Sequence, residues 1–538
     1  MRQLIALSGS IASGKSTLAE LLERRHDARG MSTKALLADT LRGNAGGSRA
    51  ALIRAGDRQD RATGGAWVVD ALVRRLDTVP EDAIVVVDAV RTKDQVDRLR
   101  QAFGPKVVHV HLTASPESLS DRYEVRRSDG PLLELGSYEE VQRNRTEHSV
   151  ARLAEVADIV INTDLCDPDG VLTRVAAHLG LFGRANSRLV DVLVGGQFGS
   201  EGKGNIARYL SSEYDLLVRS GGPNAGHSIP TATDAGKHVQ HHLPSGTTTS
   251  DARLLLTPGA VLYPSALLDE IANSRVEAGR LWIDPHATII TDAHRTAEGA
   301  LSRTIGSTGQ GVGMATAGRI ADRSGGTLLA KDIEELHPFL RPSFEVIEEA
   351  LADGRRILVE GTQGTGLSLL HGDYPWVTSR DTTTSGLLAE AGIPPSRVNR
   401  VVMVCRTFPI RVADPPEEGR TSGPIHREIS WADVAQRSGL EEEELKKQEH
   451  TTTTHKLRRV GEFDWSLLHR ASALDGPTDI ALTFADQLDI RNSDARRFEQ
   501  LTRPTLEFIA EVERVSSAPV SLISTRWAIR NIIDRRNW

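Results

Sequence analysis

Between residues 2 and 182 the chain alternates short apolar runs with stretches in which apolar residues recur every three or four positions. The runs are RQLIALSG (2–9), AIVVVDAV (83–90), KVVHVHLTA (106–114) and ADIVINT (157–163), and the clearest helical stretch is STLAELLERRH (16–26). Runs that stay apolar without alternating read as strands buried on both faces, so the pattern predicts a parallel sheet covered on each side by helices. After VLTRVAAHLGLF (171–182) comes a short polar stretch, GRANSR, and then a new strand pattern, LVDVLVGG (189–196). This punctuation divides the chain into a domain over 1–184 and a second over 185–538. The second is again mixed α/β, with loops rich in Gly, Thr and Pro and no internal repeat. Its acidic stretch EEEELKKQ (441–448) reads as a solvated helix face, with Glu442 and Lys446 in favourable i,i+4 register.

A length of 538 residues with 39% hydrophobic residues allows several cores. The balance of 65 basic against 72 acidic residues, a net charge of -7, supplies no basic stripe for a nucleic-acid backbone. Local nucleotide sites remain open. Cys166 and Cys405 lie far apart and show no metal-ligand spacing, which fits a reducing compartment and inert thiols. The opening residues read as a strand and not a signal peptide, and no apolar run reaches the roughly 20 residues that span a bilayer. The expectation is a cytoplasmic enzyme with neither nucleic-acid nor membrane partners.

GSIASGKST (9–17) fits the phosphate-loop pattern with Gly9, Gly14, Lys15, Ser16 and Thr17, placed after a strand and before a helix. In that context glycines let backbone N–H groups face phosphates, the lysine reaches the outer phosphates, and Ser16 joins a magnesium shell. With VVVDAVR (85–91), DRYEVRRSDG (121–130) and residues 143–164, the first domain resembles the nucleoside-monophosphate kinases. The resemblance implies an arginine-bearing lid, for which Arg122, Arg126 and Arg127 are candidates, although their spacing also suits a solvated helix face. Asp39 and Asp88 can orient an acceptor or a metal, and either can equally cap a strand end. The acceptor itself is not legible.

In the second domain GGQFGSEGKG (195–204) follows a strand without matching the Walker pattern, and RSGGPNAGHS (219–228) follows it. These two loops resemble those of adenylosuccinate synthetase, which joins aspartate to a 6-oxopurine nucleotide. The likeness continues through HHLPSG (241–246), LLLTPGAVLYPSAL (254–267), IGSTGQGVGMA (305–315), residues 359–379, HTTTTHKLRRVGEFDW (450–465), LTFADQLD (482–489) and LIST (522–525).

The resemblance implies site residues, named here in this chain. Gly199, Glu201, Gly202, Lys203, Gly204 and Ser228 would hold the donor phosphates, with Phe484, Asp486 and Ser524 around the donor base. Asn224, Thr308, Arg323, Gln363 and Thr378 would hold the purine monophosphate. Thr452, Thr453, Thr454, Lys456 and Arg458 would grip L-aspartate. His227 would be the acid, with Lys203 and Ser200 beside it, and Ser200 with the Gly226 carbonyl would face Mg2+. The family also implies a homodimer. Independently of the family, phosphate calls for backbone donors and a lysine, a dicarboxylate calls for cations, and charge developing on O6 calls for a proton donor. His227 can alternatively be a satisfied structural histidine, and Gln363 and Thr378 ordinary turn residues.

Three departures fall on functional positions. Ser200 stands where the family carries its catalytic aspartate, and a serine is a poor base and a weaker metal ligand. A smaller side chain leaves room for a 2-amino group beside N1, which points to dGMP, with water or the incoming aspartate as base. Phe484 stands where the family reads guanine with a lysine, which shifts the donor from GTP toward ATP or dATP; packing in the core is the other use of a phenylalanine there. His455 and Lys456 replace a glycine and an arginine, so the aspartate grip keeps its charge and loses a bidentate fork. Together these resemble the phage-type branch that makes 2-aminoadenylosuccinate for diaminopurine DNA. The competing readings are an ordinary synthetase using IMP and GTP, and a catalytically dead nucleotide sensor.

Overall fold

The computed structural model describes the chain outside residues 41–48, 129–137, 140–144, 183–186, 225, 231–236, 451–455, 527–528 and 537–538, and gives backbone only at 40, 49–53, 127–128, 145–147, 227–230 and 237–239. Thr452, Thr453, Thr454 and His455 therefore lie outside the described residues, as do the side chains of Arg127, His227 and Ser228. The chain folds as two compact units, Met1–Phe182 and Gly183–Trp538.

The first unit is built on five parallel strands: β1 (Gln3–Gly9), β2 (Arg29–Ser32), β3 (Ile84–Asp88), β4 (Val107–Thr113) and β5 (Ile159–Asn162), in the order β2-β3-β1-β4-β5. Successive side chains of a strand point to opposite faces, and the two cores divide accordingly. Ile5 and Leu7 pack with Leu18, Leu22 and Val175 on one face, and Leu4 and Ala6 with Val68, Leu72 and Val96 on the other. Each such side chain, fully buried, contributes about 1.5–3 kcal/mol relative to exposure. β1 is the first strand and sits in the middle, so the loop that leaves it opens where neighbouring crossovers diverge.

The second unit repeats the principle on a larger scale. Its nine-stranded sheet runs, edge to edge, Leu281–Ile283, Arg253–Leu256, Leu216–Arg219, Ile357–Glu360, Val190–Gly195, Val398–Arg406, Asp479–Thr483, Val520–Ser524 and Ile532–Asp534. All neighbours are parallel except the last pair, which is antiparallel. Val190, Val192 and Val194 face one core layer and Leu193 the other, as the unbroken apolar run predicts for a strand covered on both sides. Asp191 is the exception, and it is satisfied by the Tyr214 hydroxyl at 2.7 Å and the Asn399 amide at 3.0 Å. The acidic stretch forms the helix Glu442–Gln448, with Lys446 2.6 Å from Glu442. Among the described residues no helix is long and apolar enough to cross a membrane.

Candidate active site

In the second unit the first loop leaves the carboxyl end of Val190–Gly195 between two neighbouring strands and ends in the helix Lys203–Leu210. Gly202 caps that helix at φ 88°, a left-handed conformation that a side chain disfavours, and a Cβ there would stand 3.6 Å from the Phe484 ring. The helix start presents backbone N–H groups to whatever sits above it, the ordinary device for binding phosphate.

The loop's two charged side chains turn inward. Glu201 is fully buried, accepts hydrogen bonds from the backbone N–H groups of Gln197 and Gly199 at 3.1 and 2.7 Å, and pairs with the Lys203 Nζ at 2.6 Å. Lys203 also donates to the Gly199 carbonyl at 3.2 Å. The Glu201 carboxylate thus organises the loop through two of its N–H groups and holds the lysine beneath it. Ser200 is half-buried and its hydroxyl makes no hydrogen bond among the described residues.

The second loop begins at Arg219, whose strand end is in register with Glu360. The two form a buried ion pair at 2.9 Å, and Glu360 also accepts from the Ser245 N–H and hydroxyl. Further along, the Thr308 hydroxyl donates to Asn224 Oδ1 at 3.0 Å, joining two residues assigned to the purine monophosphate. Gln363, at φ 58°, has a buried Oε1 without a partner among the described residues, and its backbone lines the first loop beside Gly199. Thr378 is half-buried and donates its N–H to the Leu367 carbonyl at 2.8 Å. Arg323 is exposed in the stretch after the helix Val312–Ala321 and makes no hydrogen bond to these residues among those described.

Phe484 and Asp486, the residues assigned to the donor base, lie two positions apart just beyond the strand Asp479–Thr483. Phe484 lies at φ 60°, and the Arg406 guanidinium stacks on its ring at 4.2 Å from the centroid. Burial pushes the Asp486 carboxyl up to about 6, offset only in part by backbone N–H groups and by Arg526 and Arg406, and its Oδ1 has no hydrogen-bond partner among the described residues. An unpartnered acceptor in such a place is suited to a ligand N–H. Ser524 is buried and its hydroxyl donates to the Arg526 carbonyl at 2.6 Å.

Sequence reasoning missed Arg406 and Glu449. Arg406 Nη2 donates to Glu449 Oε1 at 2.8 Å, and Glu449 Oε2 stands 3.5 Å from Arg458 Nη1. The one signal was a charge ending an apolar strand, VVMVCR, a feature shared with Arg219 and Glu360. Lys456, the first described residue after 455, is exposed.

In the first unit Gly14 caps the helix Lys15–His26 at φ 96°, and Lys15 donates to the Gly9 and Ser10 carbonyls, both at 2.8 Å. The Ser16 hydroxyl donates to Asp88 Oδ2 at 3.1 Å, which places the Asp88 carboxylate beside the phosphate loop. Asp39 is instead engaged by Arg75 at 2.6 Å. A cavity of about 520 Å3 beside the loop is lined by Gly14, Thr17, Arg122, Arg126, Cys166 and Val171. Arg122 is anchored there by Thr163, through the hydroxyl at 2.8 Å and the carbonyl at 3.1 Å.

Glycine loops at the carboxyl ends of central parallel strands, each feeding a helix, define a nucleotide-using α/β enzyme. A family model described as adenylosuccinate synthetase matches residues 192–332 and 326–493, and one described as an AAA domain matches 5–145. The chain belongs to the adenylosuccinate synthetase family. It is 37% identical over 355 residues to the adenylosuccinate synthetase of Pyrococcus horikoshii, covering 64% of this chain and 98% of that protein. The structure of the succinoaminodeoxyadenylate synthetase PurZ of cyanophage S-2L, bound to dGMP and to dATP as an energy donor, is similar at 31% identity and TM-score 0.55, over 65% of this chain and 96% of that one. The fully ligated adenylosuccinate synthetase of Plasmodium falciparum shares the fold at 22% identity and TM-score 0.56, over 65% of this chain and all of that one.

Proposed function

We propose that the second unit is a ligase joining L-aspartate to C6 of dGMP with ATP or dATP as donor, and that the first unit is a nucleoside-monophosphate kinase. The observation that carries the substrate assignment is Ser200. It occupies the position where the family resemblance expects a carboxylate, a group that would crowd the 2-amino group of guanine, and its hydroxyl is free of hydrogen bonds among the described residues. The similarity to a synthetase bound to dGMP and dATP supports the same reading, as does Phe484, an apolar face in place of a guanine-reading lysine.

In the reaction, O6 of the purine attacks the γ-phosphorus, the bond to the β-phosphate oxygen breaks, and N1 gives up its proton. The aspartate amine then adds at C6, and the 6-phosphoryl group departs as phosphate. Water or the aspartate amine takes the proton that Ser200 cannot. His227, at the start of the short strand His227–Pro230, is the residue assigned to stabilise charge on O6, and Lys456 and Arg458 hold the aspartate carboxylates. The metal that suits the oxygen-only donors is Mg2+: the Ser200 hydroxyl and Gly226 carbonyl in the ligase, the adjacent Ser16 and Asp88 in the kinase. When bound it neutralises phosphate charge. The enzyme acts in the cytoplasm as a homodimer.

Phosphate release with aspartate and either dGMP plus ATP or IMP plus GTP tests the assignment. Turnover with dGMP and ATP is expected, and turnover confined to IMP and GTP overturns it. That second outcome is the reading favoured by the higher identity to the archaeal synthetases. Nucleotide binding without aspartate consumption would identify a sensor.

A further inference from the structure

Arg406 is among the largest fully buried side chains, at 1% exposure, yet it belongs to neither glycine loop. It ends the strand Val398–Arg406 and touches three parts of the site. Its guanidinium stacks on Phe484 at the donor base, and Nη1 donates to the Ser200 carbonyl at 3.4 Å. Its forked hydrogen bonds reach Glu449 Oε1 at 2.8 Å and Oε2 at 3.4 Å. Backbone bonds fix its place, since Gln197 Oε1 accepts from the Arg406 N–H at 3.0 Å and Gln197 Nε2 donates to its carbonyl at 3.1 Å.

Glu449 is 3% exposed and carries the contact onward. Gln487 Nε2 donates to Oε1 at 3.4 Å, Arg458 Nη1 stands 3.5 Å from Oε2, and the Arg458 N–H donates to the Glu449 carbonyl at 3.0 Å. One carboxylate is thus shared by two arginines, one behind the donor base and one at the root of the segment read as the aspartate grip. A buried Arg-Glu-Arg group is costly to desolvate and is weak support for stability; registering separate segments is its better-attested use. The Arg458 contact is the longer of the two and its side chain is 16% exposed, so it is the arm more readily yielded to a substrate carboxylate.

We propose that Arg406 and Glu449 are positioning residues that couple the donor-base pocket to the aspartate site. A base seated on Phe484 holds Arg406, Arg406 holds Glu449, and Glu449 sets the guanidinium of Arg458. The inference rests on the reading of residues 452–458 as the aspartate grip. Because coupling between two ligands is reciprocal, aspartate also tightens the donor.

The test is aspartate affinity, by titration calorimetry with dGMP present, at zero and at saturating non-hydrolysable ATP analogue. In the wild-type chain the analogue is expected to tighten aspartate roughly tenfold. Glu449→Gln, which keeps shape and removes the charge, is expected to lose that dependence. Arg406→Lys, which loses the fork, serves if Glu449→Gln does not fold, with the same expected loss. A folded variant that keeps the wild-type dependence overturns the proposal, as does a wild type whose aspartate affinity ignores the analogue. Lys456→Ala separates the two layers. If it leaves aspartate affinity unchanged, the grip reading falls; if it weakens aspartate while Glu449→Gln keeps the dependence, only the coupling falls.

Discussion

Lys203 Nζ lies 2.6 Å from Glu201 Oε2, with both side chains 1% exposed, inside the glycine loop that precedes the helix Lys203–Leu210. The pair is set by geometry around Gly195, where any side chain would run into Lys203 and Glu201 together. Removing one charge of a buried pair leaves the other uncompensated. Glu201→Gln is therefore expected to lower unfolding free energy by about 3–5 kcal/mol, read from urea denaturation of the second unit's transition. A shift under about 1 kcal/mol would mean that water reaches Lys203.

Restoring the family's acid addresses the substrate directly. Ser200→Asp is expected to lower kcat/KM for dGMP by at least tenfold, because the larger side chain crowds the 2-amino group, and to spare IMP binding. Steady-state kinetics with both nucleotides checks this, and unchanged dGMP turnover would contradict the steric argument.

The Asp486 carboxyl gives a pH signature. Burial raises it to about 6, so the folded protein binds a proton that the unfolded chain releases near the ordinary aspartate value. Its contribution to stability accordingly falls as pH rises from about 4 to 6. For the donor the sign is opposite: the ionised form accepts a base N–H, so KM for ATP is expected to fall as pH rises through about 6. Asp486→Asn should flatten that profile. Phe484→Lys, at the same wall, should raise GTP use relative to ATP.

Glu270 supplies a second window. Burial raises its carboxyl, but hydrogen bonds from the His242 ring and from the N–H groups of His242 and Leu243 outweigh this and bring it to about 2. Its stabilisation is present above the unfolded carboxylate range and is lost as pH falls from about 4.5 to 2. Acid unfolding of Glu270→Gln should lack that component.

For the first unit, Lys15→Ala is expected to abolish phosphoryl transfer to nucleoside monophosphates, and Asp88→Asn, which removes the carboxylate beside Ser16, to reduce it roughly a hundredfold or more. Ligase turnover should persist in both, as measured by aspartate-dependent phosphate release.

The elements and their order were legible in the chain because a strand covered on both faces must be apolar without alternation, and 2–9, 83–90 and 189–196 are such runs. The glycine loops were legible because a tight turn onto a helix start tolerates few residues; Gly14 and Gly202 both cap helices with positive φ. The missing acid at Ser200 was also a fact of sequence. Tertiary structure alone decided where the charges go. Glu201 and Lys203 turn inward because burial makes an unpaired ion intolerable and each is the nearest counter-ion of the other. Arg406 and Glu449 are separated by 43 positions and meet only because a strand end and a helix end converge on one buried point. No local pattern announces such a pair, since its cause is the low dielectric that the finished fold creates.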